Sequence, residues 1–128
     1  MTTTAVETRA VQRDALREAW KVERAAARAA RRRADHKLEW HHLERAHILS
    51  QPMVGPHVRT HAAMFGTALR RRDAKELVGQ LARLVMAAPG SASGRYPLGN
   101  TGGADVSPFR PMPVPEEFRT LLGLGEAK

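Results

Sequence analysis

The chain contains no cysteine among its 128 residues, and this absence narrows the chemistry available to it. Disulfide bonds and thiolate metal sites are excluded, so histidine, aspartate and glutamate are the remaining strong metal ligands. The absence of cysteine fits a reducing compartment, where disulfide bonds are rare. The first residues lack the apolar core of a signal peptide, and we therefore expect a cytoplasmic protein.

Aromatic residues make up only 5% of the chain, and no apolar run approaches the roughly 20 residues of a membrane span. We expect no membrane partner. The scarcity of aromatic side chains for base stacking, together with the lack of a helix-turn-helix signature, argues against nucleic acid as a partner. Alanine and leucine supply most of the apolar surface instead, which suits closely packed helices in one small domain.

Apolar residues at helical spacing predict four helices, spanning residues 9–33, 36–51, 57–72 and 74–88. Asp35 and Asp73 are the predicted N-caps, and Pro52 and Pro89 are predicted to end the second and fourth helices. The residues predicted to face the core are Ala15, Leu16, Ala19, Trp20, Val22, Ala26 and Ala29; Leu38, Leu43, Ala46 and Leu49; Val58, Ala62, Phe65 and Leu69; Leu77, Leu81, Leu84 and Val85.

A faint internal repeat relates the two halves of this region. Each half consists of a helix, a basic turn (residues 30–35 and 69–73) and a second helix that a proline stops, which resembles the tetratricopeptide helix-turn-helix unit. The expected fold is therefore all-α, with two stacked antiparallel helix pairs and an ordered Gly/Pro-rich C-terminal loop. The predicted regions are a frayed N-terminus (1–8), a helical core (9–89), a C-terminal loop with a short helix at 116–122 (90–122) and a tail (123–128).

All six histidines lie between His36 and His61. At about 100° per residue, Glu44 and His47 are about 60° apart on one helix, and His57 and His61 are about 40° apart on the next. If the two helices are antiparallel neighbours, these four side chains converge. His36 and His41 are expected at the surface, and His42, about 140° from His47, is expected to pair with Glu39.

A cluster of Glu44, His47, His57 and His61 predicts a divalent transition-metal site, with zinc or iron as the ion. Four ligands would suit zinc, whereas a 2-His-1-carboxylate subset would suit non-haem iron. A ferritin-like di-iron site needs further carboxylates, and the second E-x-x-H, Glu39 to His42, lies in the wrong place for it. The alternative is a site without metal, in which Glu44 pairs with Arg45 or Lys37.

The glycine-rich segment 99–109 is unusually specific for a linker, although it matches neither a P-loop nor a G-x-G-x-x-G turn. Its turn-forming side chains and backbone amides predict an ordered loop over the helices, held by Phe109 and Met112. Asn100, Thr101 and Asp105 are the candidate cofactor-binding residues, and Gln51 or Asp105 is expected to support the metal ligands. The alternative is an ordered loop without a role in the site.

Three motifs carry a family resemblance: residues 43–49 (LERAHIL), residues 57–61 (HVRTH), and residues 99–103 (GNTGG) continued by 109–112. They resemble a family of short bacterial proteins catalogued only as a domain of unknown function. The resemblance covers roughly residues 10–122, and Asp105 stands where that pattern is expected to have asparagine. It implies that the histidine segments and the glycine-rich loop are functional, but it implies no activity.

Two functions from different classes follow. The first is metal handling or metal-dependent chemistry at the histidine cluster. The second is a metal-free helical-repeat module that uses the net charge of +8 to bind an acidic protein partner. The arginines that would serve this second function are Arg24, Arg28, Arg31, Arg32, Arg33, Arg70, Arg71 and Arg72.

Overall fold

The computed structural model describes residues 3–126, which form helices and turns without any strand. The helices are α1 (Thr3–Arg32), α2 (His36–Ser50), α3 (Val54–Arg71), α4 (Ala74–Ser93) and α5 (Glu116–Arg119). The expected all-α class is confirmed. Within the described residues, no helix combines the length and the apolar character needed to cross a membrane.

The helix boundaries differ from the predicted ones mainly at α1 and around two prolines. α1 begins at Thr3, six residues before its predicted start at residue 9. Residues 1 and 2 of the predicted frayed N-terminus, and residues 127 and 128 of the predicted tail, lie outside the described range. Pro56 lies in the first turn of α3, where a missing N–H leaves no bond unmade. Pro89 lies inside α4, which continues to Ser93 and ends at Gly94 in the left-handed conformation. The prediction that Pro89 stops this helix was wrong.

The helices pack as two pairs, α1 with α2 and α3 with α4, and the contact between α2 and α3 joins the pairs. The two predicted caps are present, because the side chains of Asp35 and Asp73 accept hydrogen bonds from the backbone N–H groups of Leu38 and Glu76. The detailed likeness to tetratricopeptide repeats stays a prediction.

The apolar core lies between α1, α2 and the C-terminal segment. Its buried side chains are Leu16, Trp20, Ala46, Ile48, Leu49, Met53 and Phe118, and a smaller group between the helix pairs contains Ala27, Leu43 and Met64. The buried face of α1 runs through Leu16, Trp20, Glu23, Ala27 and Ala30. Leu16 and Trp20 are confirmed as core residues, whereas the other three each lie one residue after a predicted position. The core therefore fixes α2, which carries His47, against α1.

The predicted inward faces of α3 and α4 were wrong. Leu69, Leu81 and Val85 are 58%, 54% and 74% exposed. The buried face of α3 instead carries His57, Thr60, His61, Met64 and Thr67, and that of α4 carries Gln80, Arg83, Ala87 and Ser91. Polar side chains are inside because they bond to one another across the helix interface, which hydropathy alone does not predict.

Two buried carboxylates form hydrogen bonds between helices, one linking α2 to α3 and one linking α1 to α2. Glu39 on α2 accepts hydrogen bonds from Thr67 and Arg70 on α3 at 2.9 and 2.6 Å. Glu23 on α1 pairs with Arg45 and His42 on α2. His42 therefore bonds to Glu23, whereas the sequence pattern had indicated Glu39. The polar faces of these helices specify which helix lies next to which.

Glu39→Ala tests the α2–α3 link. Because Thr67 then loses a buried acceptor while Arg70 can still reach water, we expect the free energy of unfolding to fall by about 1–3 kcal/mol, measured by urea denaturation. Glu18→Ala is the matched control, since the Glu18–Lys21 pair is exposed and should change stability by less than about 1 kcal/mol. Equal effects of the two substitutions would contradict the assigned role of Glu39.

Candidate metal centre

Three histidines from two helices meet beneath the glycine-rich loop. The Nε2 atom of His47 on α2 lies 3.0 Å from Nε2 of His61 and 3.0 Å from Nε2 of His57, both on α3. Each of the three side chains is at most 6% exposed. They form a group in which one potential ligand atom from each ring lies within 4.8 Å of those of the other two.

The other ring nitrogen of each histidine is held by a hydrogen-bond acceptor. Nδ1 of His47 lies 2.6 Å from the backbone carbonyl of Asn100, which can only accept. Nδ1 of His57 lies 2.7 Å from the hydroxyl of Ser91, whose own proton is donated to the carbonyl of Gln51. Both Nδ1 atoms must therefore carry the proton and donate it.

The third histidine is oriented by an amide. Nδ1 of His61 lies 2.7 Å from Oε1 of Gln80. The amide nitrogen of Gln80 donates to Glu76 and to the carbonyl of Gly102, which leaves its oxygen to accept from His61. Nδ1 of His61 is therefore also protonated.

These partners determine what the three Nε2 atoms present to one another. A neutral imidazole carries one proton, and Nδ1 holds it in each ring, so every Nε2 carries an unshared electron pair. The electron pair of His47 Nε2 lies 3.0 Å from those of His57 and His61, so these pairs repel one another, and a cation among the three nitrogens removes the repulsion. Two nitrogens bound at about 2.0–2.1 Å to one tetrahedral zinc ion lie about 3.3 Å apart, which is close to the observed spacing.

Burial keeps the cluster neutral. Desolvation, reinforced by the charge of His61, lowers the pKa of His57 to about 4, and desolvation lowers the pKa of His61 to about 4 as well. The pKa of His47 is lowered well below its ordinary value, by desolvation first and then by His61 and His57. Neutral imidazoles are the form that binds metal.

The glycine-rich loop closes over the cluster through close backbone contacts. Gly102 has a φ of +85°, and a Cβ atom there would lie 2.7 Å from the ring of His47. Gly99, also at positive φ, donates its N–H to the side chain of Gln51. Asn100 is 2% exposed and binds the carbonyls of Ser107 and Arg110. Polar bonds therefore hold this loop, whereas Phe109, a predicted contact, is 75% exposed.

The structure brings His47, His57 and His61 together, but Glu44 does not belong to their group. Glu44 lies about 60° around the helix from His47. Burial, with the charges of Asp105 and Glu76, raises the pKa of its carboxylate to about 7. It therefore belongs to a separate carboxylate cluster.

The predicted supporting residues fall into two groups. Asn100 contacts His47 through its carbonyl, and Gln51 receives the hydroxyl proton of Ser91 on its backbone oxygen. Thr101, whose hydroxyl contacts the sulfur of Met112, is not among the residues that line the histidine cavity. Asp105 lines a different, smaller cavity with Trp40 and Glu76.

Three site residues lie on α4 and were missed by sequence reasoning: Gln80, Arg83 and Ser91. Their spacing, with Ala87, follows one face of a helix. A polar stripe at 80, 83 and 91 was the available signal, but the neighbouring leucines carried more apolar character and directed the prediction to a face rotated by about 100° from the observed one.

The three imidazoles open onto a cavity of about 330 Å³. Small and apolar side chains from α4 and the loop line most of it, including Met86, Ala87, Pro97 and Pro108. Arg83, Arg95 and Tyr96 also line it. A metal ion on the histidines would therefore have protein ligands on one side and this cavity on the other.

Fold and site together define an all-α protein with a buried tri-histidine cluster that faces a cavity. The model of the DUF3703 family, described as proteins of unknown function, matches residues 14–122, and the chain belongs to that family. The predicted membership of a domain family of unknown function is thus confirmed. Neither the curated proteins nor the solved structures contain a match to the chain.

The metal-free protein should lose stability in acid. Between pH 6.5, the ordinary pKa of histidine, and about pH 4, His57 and His61 bind protons in the unfolded chain but stay neutral in the folded state. As the pH is lowered through this window, the free energy of unfolding should therefore decrease, by about 1 kcal/mol per pH unit for each histidine that stays neutral. Urea denaturation of chelator-treated protein measures it.

Glu44 acts in the opposite direction, because its raised pKa of about 7 means that the folded state takes up its proton first. The pH dependence is therefore compared among variants that all carry Glu44→Gln. Adding His36→Ala, at an exposed position, should leave the change in free energy of unfolding per pH unit almost as it is, whereas adding His61→Gln should reduce that change. A stability independent of pH across the window would contradict the assigned neutral cluster.

Proposed function

We propose that this protein binds one divalent transition-metal ion through Nε2 of His47, His57 and His61, in metal handling or metal-dependent chemistry. The observation that supports this proposal is the fixed tautomer of all three rings. Each Nδ1–H donates to a carbonyl, hydroxyl or amide oxygen that can only accept a hydrogen bond from that ring. Three unshared electron pairs then point into one small space that a cation of suitable radius fills.

Zinc is the ion that this ligand set fits best. Three imidazoles with an open fourth position are an established zinc arrangement, and second hydrogen bonds from the far ring nitrogen are typical of metal-binding histidines. The 2-His-1-carboxylate alternative for iron requires a carboxylate in the group, and Glu44 stands outside it. We therefore propose three histidine ligands without Glu44.

The open position gives this site its expected behaviour. Structural zinc sites are closed by four protein ligands, whereas sites that exchange or activate a ligand keep one position free. Here the free position faces the cavity. We therefore propose that the metal centre reacts with or exchanges a ligand and does not serve a structural role. The acidic protein partner of the metal-free alternative stays a prediction.

Metal binding is tested by thermal unfolding with and without zinc. Because an ion that binds only the folded state stabilises it by mass action, zinc at about 100 times its dissociation constant should add about 2.7 kcal/mol and raise the melting temperature by several degrees. Elemental analysis should find close to one ion per chain. His57→Ala and His61→Ala should each abolish the rise.

Matched controls separate ligation from general histidine binding. His36→Ala and His41→Ala remove exposed imidazoles from α2 and should keep the full rise, as should Glu44→Gln. If the exposed-histidine variants lose the rise as completely as the cluster variants, the proposed ligands are wrong. If the unaltered protein neither contains nor takes up a divalent ion at neutral pH, the proposed function is wrong.

A further inference from the structure

The cavity beside the histidines is lined by an arginine that has no carboxylate partner among the ion pairs of the described residues. Arg83, on the buried face of α4, is 9% exposed and lines the same cavity as His47, His57 and His61. Its Nη atoms donate to the carbonyls of Gly79 and Val106 at 3.0 and 2.7 Å. Its Nε is buried and makes no hydrogen bond within the described residues.

No carboxylate neutralises this guanidinium at close range in the described part of the chain. Its ion pairs there do not include Arg83, and Glu76 and Asp105 influence it only through longer-range charge. Glu76 is also occupied, because its carboxylate accepts from the N–H of Ala104 and from Gln80. A largely buried guanidinium without a carboxylate partner is costly unless an anion in the cavity neutralises its charge.

The metal would add to this imbalance. Neutral histidines contribute no negative charge, so a divalent ion on them keeps its full charge beside Arg83. Two cationic groups in one largely apolar cavity favour an anion that contacts both. The planar fork of an arginine matches a carboxylate in particular.

We propose that the open metal position and Arg83 together bind the carboxylate of a small organic acid, whose apolar part occupies the cavity. This inference rests on the proposed metal site. One carboxylate oxygen would bind the ion, and the other would accept from an Nη–H of Arg83, because each Nη carries two protons and donates one of them to a backbone carbonyl. The cavity of about 330 Å³ limits the remainder to a small body, and Met86, Ala87 and Pro97 provide apolar contacts for it.

The test uses the full chain loaded with cobalt(II), whose visible spectrum reports its coordination, titrated with sodium benzoate. Benzoate should change the spectrum saturably and bind at least tenfold more tightly than acetate, because its ring buries apolar surface in the cavity. Benzamide, which has the same shape without the charge, should leave the spectrum unchanged. Inorganic phosphate binding in place of benzoate would overturn the choice of an organic carboxylate.

Arg83→Gln should weaken benzoate binding at least tenfold while the cobalt spectrum without benzoate is kept. Arg95→Gln is the matched control, because Arg95 lines the same cavity but is exposed; it should change the affinity less than threefold. Arg83→Lys, which keeps the charge without the fork, should fall between Arg83→Gln and the unaltered protein, and it replaces Arg83→Gln if that variant does not fold.

The metal site and the role of Arg83 would be overturned by different results. If cobalt does not bind the unaltered chain, the metal site itself is wrong. If cobalt binds to the three histidines but benzoate leaves its spectrum unchanged, or if Arg83→Gln and Arg95→Gln weaken benzoate equally, the metal site stands and the role of Arg83 is overturned.

Discussion

Three imidazole nitrogens with unshared electron pairs meet between α2 and α3, and His47 Nε2 lies only 3.0 Å from each of the other two, which is unfavourable without a cation. In each ring, a hydrogen bond from Nδ1 to Asn100, Ser91 or Gln80 keeps the proton on Nδ1 and therefore off Nε2. These partners come from α4 and the loop, not from the helices that carry the ligands. The site therefore depends on the whole fold being assembled around it.

That dependence explains features that would otherwise look like defects. The inward face of α4 is polar because it supplies partners for His57 and His61, and its small Ala87 leaves space for the cavity. Gly102 lies against the ring of His47, where any side chain would collide with it. Apolar residues such as Leu81 and Val85 are left on the outer face as a result.

Much of this arrangement was predictable from local patterns. The all-α class, the two caps and the convergence of His47, His57 and His61 followed from helical spacing. The position of Glu44 was not predictable in this way, because a rotation of about 60° around α2 separates it from His47 and places it outside the histidine group. Likewise, hydropathy placed the leucines of α4 inside, since it cannot anticipate that Gln80 and Ser91 are satisfied by histidines far away in the sequence.

Whether these three nitrogens bind one ion can be read from a crystal structure of the zinc-treated protein, with anomalous diffraction at the zinc edge. We expect one peak per chain, about 2.0–2.1 Å from each Nε2, with the fourth direction toward the cavity and no contact to Glu44. A zinc-treated crystal without a peak between His47, His57 and His61, or with its strongest peak at the exposed His36 or His41, would contradict this expectation.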